Sequence, residues 1–511
     1  MPSGPQSSYE ALIAALAERD ARLGEAGVLL AAQAERIERL ERLVGEMAAK
    51  LGKDSSNSSK PPGSDGAGSR AERRAAAAEQ KRERQAERDA GGSARKRGGQ
   101  AGYKGRGLEL SADPDKREEP TEPAACGGCG GGLAGAELVG RQRLQVLDIA
   151  EVKALVTEYL LVSRQCGCGA VTRGEMPPGV RGGPVAYGPN LAAAAALLHA
   201  HGQVSRERAA ELVAGLFGVE VSAGWIGKLA ERLAANLGGF QAGLERALLA
   251  EPVLLGDETP VNTIEDSPET EEQVGRPFVP YVFTFRTRDL VWLSAGHTRG
   301  HAALDAFALI DRYTGTFVSD DYGGYSKYEA NLTARQLCCA HLIRSLRGVL
   351  DAEPLGQRWA TDMIAILKDA RQAVIDAENA GRDALTGSQI AAIRARYLAC
   401  ARKGVSGNFY KRTSKGTKTP ALVLAQRLQA KIDQVLHHLT DFAVPWTSNL
   451  AEQALRHVKI HLKISGCFRT LATTRAYCRI QSYLATTRLH HIPAMDAIRA
   501  ALAGHAWNPL T

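Results

Sequence analysis

Hydrophobic and polar positions change period several times along the chain. Leu16, Leu23, Leu30, Ile37, Val44 and Leu51 recur every seven residues, with Leu40 and Met47 in the partner position, which predicts a coiled coil, firm from Ile37 to Leu51. Its first half is weaker, because Arg19, Ala26 and Gln33 hold the partner position and Gly24 and Gly27 lower helix propensity. A single helix packed on its own chain is the competing reading. The run GKDSSNSSKPPGSDG then stops the helix and can bury no core. SRAERRAAAAEQKRERQAERD follows as a charged segment without an apolar face, and RKRGGQAGYKGRG as a glycine-loosened cationic one.

Alternation with strand character follows in RQRLQVLDI and VKALVTEYLLV. From Pro189 the period is helical, and residues 204–237 predict a helix, a turn at Gly218 and a second helix near Ser222. This pattern fits a helix-turn-helix or an ordinary helical hairpin equally, since only Lys228 and Arg232 on the second helix are placed to reach DNA. ALLAEPVLLGDETPV, PFVPYVFTFRT, DLVWLSAGHT and GTFVSDDYGGY each hold a strand-like run, with the helix HAALDAFALIDRY before the fourth, and RQLCCAHLI reads as a fifth strand. Three strands in quick succession, a helix and another strand imply a mixed sheet. From Arg344 to about Asp441 the chain is helical again, and basic in NFYKRTSKGTKT.

These periods predict a multidomain α/β protein. We expect a coiled coil over 1–53, a basic linker and DNA-binding arm over 54–107, a zinc-ribbon-like β module over 108–182 and a helical, helix-turn-helix-like DNA-binding domain over 183–248. A catalytic core follows in two parts, 249–345 and 441–490, interrupted by a helical insertion over 346–440 and followed by a helical tail, 491–511.

Length and charge sharpen this picture. At 511 residues and 44% hydrophobic, the chain is too long for one core. No apolar run approaches the ~20 residues needed to cross a bilayer, so a soluble cytoplasmic, nucleoid-associated protein is expected, with no membrane partner. The net charge is +8, and Lys60 to Gly107 alone contributes thirteen Lys and Arg against six Asp and Glu. A cationic, nearly apolar-free arm neutralises phosphates, which nominates Arg95, Lys96, Arg97, Lys104 and Arg106 as DNA contacts.

Nine cysteines, an odd number, argue against a disulfide scaffold. Cys126 and Cys129 in CGGC, with Cys166 and Cys168 in CGC, have the spacing of ligand turns and predict a structural Zn²⁺. The single residue between the second pair departs from the usual two. Cys338 and Cys339 read as core; Cys400, Cys467 and Cys478 show no ligand spacing.

Two strands end in acids, Asp257 in LLGDET and Asp320 or Asp321 in FVSDDY. Singly, such acids are turn formers or caps. With Glu452 they form a set that suits two Mg²⁺ or Mn²⁺ ions in an in-line phosphodiester displacement. In TSNLAEQALRHVKIHLK, capped by Thr447 or Ser448, Glu452 shares a helix face with Arg456, Lys459 and Lys463. The bland alternative is a solvated helix with one favourable acid–base spacing; the functional one is a metal ligand beside a phosphate grip. Asn449, one turn earlier, would orient the acid or a water.

LGKDSSNSSKPPGSD, RGGQAGYKG, the paired cysteines, DETPV, SDDYGGY, CCAHLIRSL and NLAEQALR, in this order, resemble the transposases of the insertion sequence 66 family over nearly the whole chain. The resemblance implies a ribonuclease-H-like mixed sheet with an Asp-Asp-Glu triad and a helical insertion before the Glu. Its motifs carry over to Asp257, to Asp320 as the acid two residues before Tyr322, and to Glu452 in N-x-x-E-x-x-L-R. The family usually has glycine where this chain has Asp321, so the second ligand is Asp320 or, alternatively, Asp321. His341 in CCAHLIR also matches a family position, either as a phosphate or base contact or as a packed residue.

The function expected is a DNA transposase that binds element ends, hydrolyses phosphodiester bonds and transfers 3′-hydroxyl ends to target DNA. Its partners would be DNA, a second copy through the coiled coil, and accessory proteins of the same element. The alternatives are a catalytically inactive DNA-binding regulator and a nuclease without strand transfer. A Ser or Tyr recombinase is disfavoured, as no such nucleophile stands with a cluster of arginines.

Overall fold

A computed structural model describes residues 109–118, 122–150, 152–176, 185–264, 279–353 and 356–510, together with the run 30–37 and scattered positions between 18 and 47. The arm with Arg95, Lys96, Arg97, Lys104 and Arg106, and the heptad positions Leu16, Leu23 and Leu51, lie outside the described residues. Residues 30–37 are helical, and the heptad residues Leu30, Ile37, Leu40, Val44 and Met47 are helical and exposed.

The chain falls into two compact units, Gly66–Leu155 and the remainder. In the smaller one, Cys126 and Cys129 close a tight turn, with Cys126 N–H donating to Gly131 O at 2.8 Å and Gly130 N–H to Cys126 O at 2.9 Å. Gly130 sits at φ +72°, a left-handed conformation that glycine adopts without a Cβ penalty. In the larger unit, Cys166 and Cys168 occupy the turn between strands β1 (Ser163–Gln165) and β2 (Val171–Arg173), which pair antiparallel. The strands expected from RQRLQVLDI and VKALVTEYLLV do not form: the described residues there are irregular, and Leu144, Val146, Ile149, Leu155, Val156 and Leu160 are exposed. Alternation needs a neighbouring strand to become a ladder, and among the described residues no strand runs beside this segment.

The larger unit is built on one mixed sheet. Its strands are β3 (Val253–Pro260), β4 (Tyr281–Arg286), β5 (Val291–Gly296), β6 (Thr316–Ser319) and β7 (Ala334–Leu337), in the order β5-β4-β3-β6-β7. β3, β4 and β5 run antiparallel, while β3, β6 and β7 run parallel. The predicted fifth strand stops at Leu337, and CCAHLIR instead opens a helix, α6 (Cys339–Ala352).

One face of the sheet presents Leu254, Phe283, Phe285, Trp292 and Phe317. It is covered by helices α1 (Pro189–Ala196), α2 (Arg206–Phe217), α3 (Ala223–Asn236), α4 (Gly238–Ala250) and α5 (His301–Phe307), together with α13 (Leu471–Leu489) and α14 (Ala494–Leu502). Position 256 on this face is glycine because a Cβ there would clash with the Phe317 ring. α2 and α3 form the predicted helix pair, turned at Gly218 with φ +65°. The C-terminal helices share this core: Asn236 donates to Ala501 O at 2.8 Å and Tyr483 to Ala497 O at 3.0 Å.

The other face carries Val253, Leu255 and Val318, which pack on Val444, Leu450 and Ala451. Val282, Val291 and Leu293 on that face meet Leu455, Val458 and Phe468. These partners belong to α11 (Asn449–Ala454) and α12 (Arg456–Ser465) and to the segments flanking them. Between β7 and α11 lie α6 (Cys339–Ala352), α7 (Arg358–Asn379), α8 (Gly387–Asn408), α9 (Pro420–Ala430) and α10 (Ile432–Leu436), with a core of their own around Trp359, Leu367, Tyr397 and Leu428.

Both edges of the sheet are covered. Ser482 and Thr486 of α13 receive the N–H groups of Leu293 and Val291 at 2.8 and 3.1 Å, and Arg475 Nε donates to Ala295 O at 2.9 Å. At β7, Gln336 donates to Val435 O at 2.9 Å and accepts the His438 N–H at 2.9 Å. On the β5 side, side chains thereby satisfy backbone groups that an open edge would leave free to pair with another chain, while Gln336 ties β7 to the segment that covers it. Among the described residues no helix is long and apolar enough to cross a membrane.

Candidate active site

Register places the two aspartates. Leu255 of β3 pairs in parallel with Val318 of β6, so two residues further on Asp257 and Asp320 stand at the same level, both on the face of Leu255 and Val318. The helix α11 lies over that face. Ala451 and Leu450 pack on Val253, Leu255 and Val318, and Arg286 Nη1 donates to Leu450 O at 3.0 Å. Glu452, next in sequence, sits in the first turn of α11.

A fourth group comes from the start of α6. Cys338 N–H donates to Ser319 O at 2.8 Å, Cys339 N–H to Trp446 O at 3.1 Å, and Ser448 N–H to the Cys338 sulfur at 3.3 Å. These bonds fix the end of β7 between the end of β6 and the start of α11. They bring His341 Nε2 to 3.6 Å from Glu452 Oε1. His341 Nδ1 is buried beside Cys338 without a well-formed hydrogen bond.

The charges in this cluster are poorly balanced. Burial, followed by the neighbouring carboxylates of Glu258, Asp320 and Glu452, pushes Asp257 up to about 8, with His341 opposing. Burial alone would pull His341 down, but the Cys338 thiol and then Asp320 and Asp257 outweigh it, and its pKa rises to about 9. Among the described residues no three His, Cys, Asp or Glu side chains converge on a single ion position. The acids lie in one another's fields without being drawn together. A set of carboxylate oxygens that cannot all ionise side by side fits a hard divalent cation, which favours oxygen donors and relieves their repulsion.

The face opposite Asp257 holds a network that the sequence did not single out. Glu258, one residue on, points the other way, and its side chain is 1% exposed. Arg299 Nε donates to it at 2.8 Å, Tyr325 donates its hydroxyl to it, and the same guanidinium reaches Asp320 Oδ2 at 3.6 Å. Arg299 also lies over the Tyr322 ring, 3.8 Å from its centroid, while Tyr322 N–H donates to Asp320 Oδ1 at 3.0 Å. The acid–acid alternation in GDETP was the available signal for Glu258; nothing local pointed to Arg299.

Asp321 is turned elsewhere, toward Lys431 Nζ at 2.7 Å and Arg427 Nε at 3.2 Å. The predicted stripe of Glu452, Arg456, Lys459 and Lys463 is bent, because a hitch at Leu455 separates α11 from α12; Arg456 and Lys463 are exposed and Lys459 half-buried. Asn449 is exposed at the first position of α11. Ser448 is the capping residue, yet its side chain makes no cap hydrogen bond.

The two cysteine turns have a chemistry of their own. Backbone N–H groups of Cys129 and Gly128, then the Cys129 thiol, lower the pKa of Cys126; the backbone and thiol of Cys168 do the same for Cys166.

Residues 184–476, more than half of the chain, match the sequence model of the family described as Transposase IS66 family, and the chain belongs to that family. Residues 5–108 match a family of unknown function (DUF6444). No curated protein matches the chain. Two similar solved structures are a pre-cleavage Mos1 transpososome and the Mos1 transposase paired-end complex with left transposon end. The first is 13% identical, over 31% of this chain and 62% of that one, with a TM-score of 0.11. The second is 9% identical, over 52% of this chain and 83% of that one, with a TM-score of 0.13. The chain thus spans about three fifths of the first, and the likeness carries no structural argument at these scores.

Proposed function

We propose that this transposase cuts DNA at the ends of an insertion element and joins the freed 3′-hydroxyls to target DNA, using Asp257, Asp320 and Glu452. The observation that carries this reading is the level register of Asp257 and Asp320 on adjacent parallel strands, with the Glu452 helix packed over the same face. Three antiparallel strands continued by two parallel ones support a ribonuclease-H-like core. Of the two candidate acids at the end of β6, Asp320 is assigned to the site and Asp321 to its ion pairs with the insertion.

Two Mg²⁺ or Mn²⁺ ions held by the three carboxylates would supply Lewis acidity and neutralise charge during in-line displacement at phosphorus. The chain's own groups do the rest. Asp257 gives up the proton that burial favours when a cation is near. Arg299 holds Asp320 from the opposite side, and His341 orients Glu452. Arg456, Lys459 and Lys463 contact the DNA backbone beside the scissile phosphate, with Asn449 at the helix start, while the arm bearing Arg95, Lys96, Arg97, Lys104 and Arg106 adds sequence-independent affinity.

The exposed heptad residues Leu30, Ile37, Leu40, Val44 and Met47 support self-association through the N-terminal helix, as synapsis of two ends requires. Each cysteine turn suits zinc, because its amides favour the thiolate; a zinc content near zero in reduced protein would remove that part of the reading. For the main reading, purified protein is given labelled element ends and Mg²⁺. Glu452→Gln is expected to abolish cleavage and joining, and equal cleavage by the two proteins takes Glu452 out of the mechanism.

A further inference from the structure

The helical insertion holds a second concentration of positive charge. Between Asp383 and Asp433 stand ten Lys and Arg and no Asp or Glu, so the chain outside this segment and the N-terminal arm is net negative. Five of the ten are committed within the fold. Arg394 pairs with Asp433 and Arg396 with Asp369, both at 2.7 Å; Arg427 and Lys431 pair with Asp321, and Lys411 with Glu353.

The other five, Arg402, Lys403, Arg412, Lys415 and Lys418, have no carboxylate partner among the described residues. Arg402 and Lys403 belong to the last turns of α8, and the remaining three to a short turn closed by the Arg412–Lys418 bridge and by Thr413 N–H donating to Thr417 O at 2.9 Å.

Two aromatic side chains stand among these cations. Phe409 is 49% exposed and Tyr410 88%, with ring centroids 5.1 Å apart, edge to face. They border a groove of about 500 Å³ lined by Arg402, Val405, Ser406, Phe409, Tyr410 and Gln429. A merely solvated face would intersperse acids among its bases and would not hold two aromatic rings in water. Cations alone would suit any polyanion. Cations around an exposed ring suit one whose charges alternate with flat apolar faces, which describes a nucleic-acid strand with unstacked bases.

We propose that this surface is a second DNA interface, at which an unpaired base stacks on Tyr410 while Arg402, Lys415 and Lys418 neutralise the flanking phosphates. It rests on the transposase reading for the identity of its polyanion and uses none of the acids assigned above.

The test compares the affinity of the full-length chain for a paired duplex and for the same duplex carrying one unpaired base. Wild type should prefer the unpaired form. Tyr410→Ala should lower affinity for that form about tenfold and leave the duplex unchanged, whereas Tyr410→Phe retains the preference. Replacing Arg402, Lys415 and Lys418 together by Ala should reduce the slope of log affinity against log salt by about two. Tyr410 lies in water, so its replacement does not threaten folding. Equal preference in wild type and Tyr410→Ala overturns the proposal, as does displacement of the DNA from this surface by polyglutamate or anionic vesicles whose binding does not depend on Tyr410. Cleavage by Asp257→Ala would defeat the catalytic reading alone, so the two failures are separable.

Discussion

Lys431 Nζ donates to Asp321 Oδ1 at 2.7 Å, which ties the end of β6 to the helical insertion and sets Asp321 apart from its neighbour Asp320. The doublet therefore divides its labour. Asp320→Asn should lower DNA cleavage by about 10²-fold or more with little change in melting temperature. Asp321→Asn should cut at near the wild-type rate and lose about 2 kcal/mol of stability from its charged hydrogen bonds. Cleavage assays and denaturant titrations of the two proteins decide the matter; the reverse pattern would make Asp321 the ligand.

Among the described residues Arg299 is the one cationic partner of Glu258. Burial and then Asp320 raise the pKa of the Glu258 carboxyl, while Arg299 and Tyr325 oppose them. Arg299→Ala should cost about 3 kcal/mol, because it leaves a carboxylate buried without its partner. Adding Glu258→Gln to that variant should recover part of the loss. A double-mutant cycle by urea denaturation measures the coupling, and a value near zero would show the pair to be idle.

The edge of β5 depends on two hydroxyls. Thr486→Val and Ser482→Ala each leave a buried N–H, of Val291 and Leu293 respectively, without an acceptor. Each should cost about 1–3 kcal/mol, and hydrogen exchange should accelerate first at those two amides. Unchanged protection there would mean that other groups cover the edge.

Acid should weaken the fold through His438. Burial lowers its pKa from the ordinary 6.5 to about 4. The unfolded chain thus takes up a proton near pH 6.5 that the folded chain refuses until about pH 4. Stability is full above pH 6.5 and falls by about 1.4 kcal/mol per pH unit down to about 4, where the loss levels off. His438→Leu should flatten that part of the stability profile relative to wild type, and parallel profiles would show that His438 is not the titrating group.

The positions of Asp257 and Asp320 at neighbouring strand ends were legible because each follows a periodic apolar run, and periodicity survives in sequence; Glu452 is marked instead by its helical spacing to Arg456, Lys459 and Lys463. The strand pattern from Leu249 to Tyr328 was legible for the same reason. RQLCCAHLI reads as strand throughout, but only its start is one: the apolar run suits either state, and the end of β7 at Leu337 is held by bonds from Cys338 and Cys339 to Ser319 and Trp446, remote in the chain. Glu258 and Arg299 are 41 residues apart, and no local period connects them. RQRLQVLDI and VKALVTEYLLV alternate like strands, yet among the described residues they form no strand ladder before Ser163, because a pattern of side chains cannot supply the neighbour that a ladder needs.

Cys338 and Ser448 are 110 positions apart in sequence and joined by one N–H···S contact of 3.3 Å. The chain therefore leaves the sheet and returns to it at neighbouring points, and that exit is a gate for the long excursion between them. The parts of that excursion that hold neither Asp321 nor the β7 edge can lengthen, shrink or be exchanged without shifting the acids. Evolution can fit such a chain for different DNA substrates by rebuilding the excursion alone, and a protein engineer can use the same two residues as graft points.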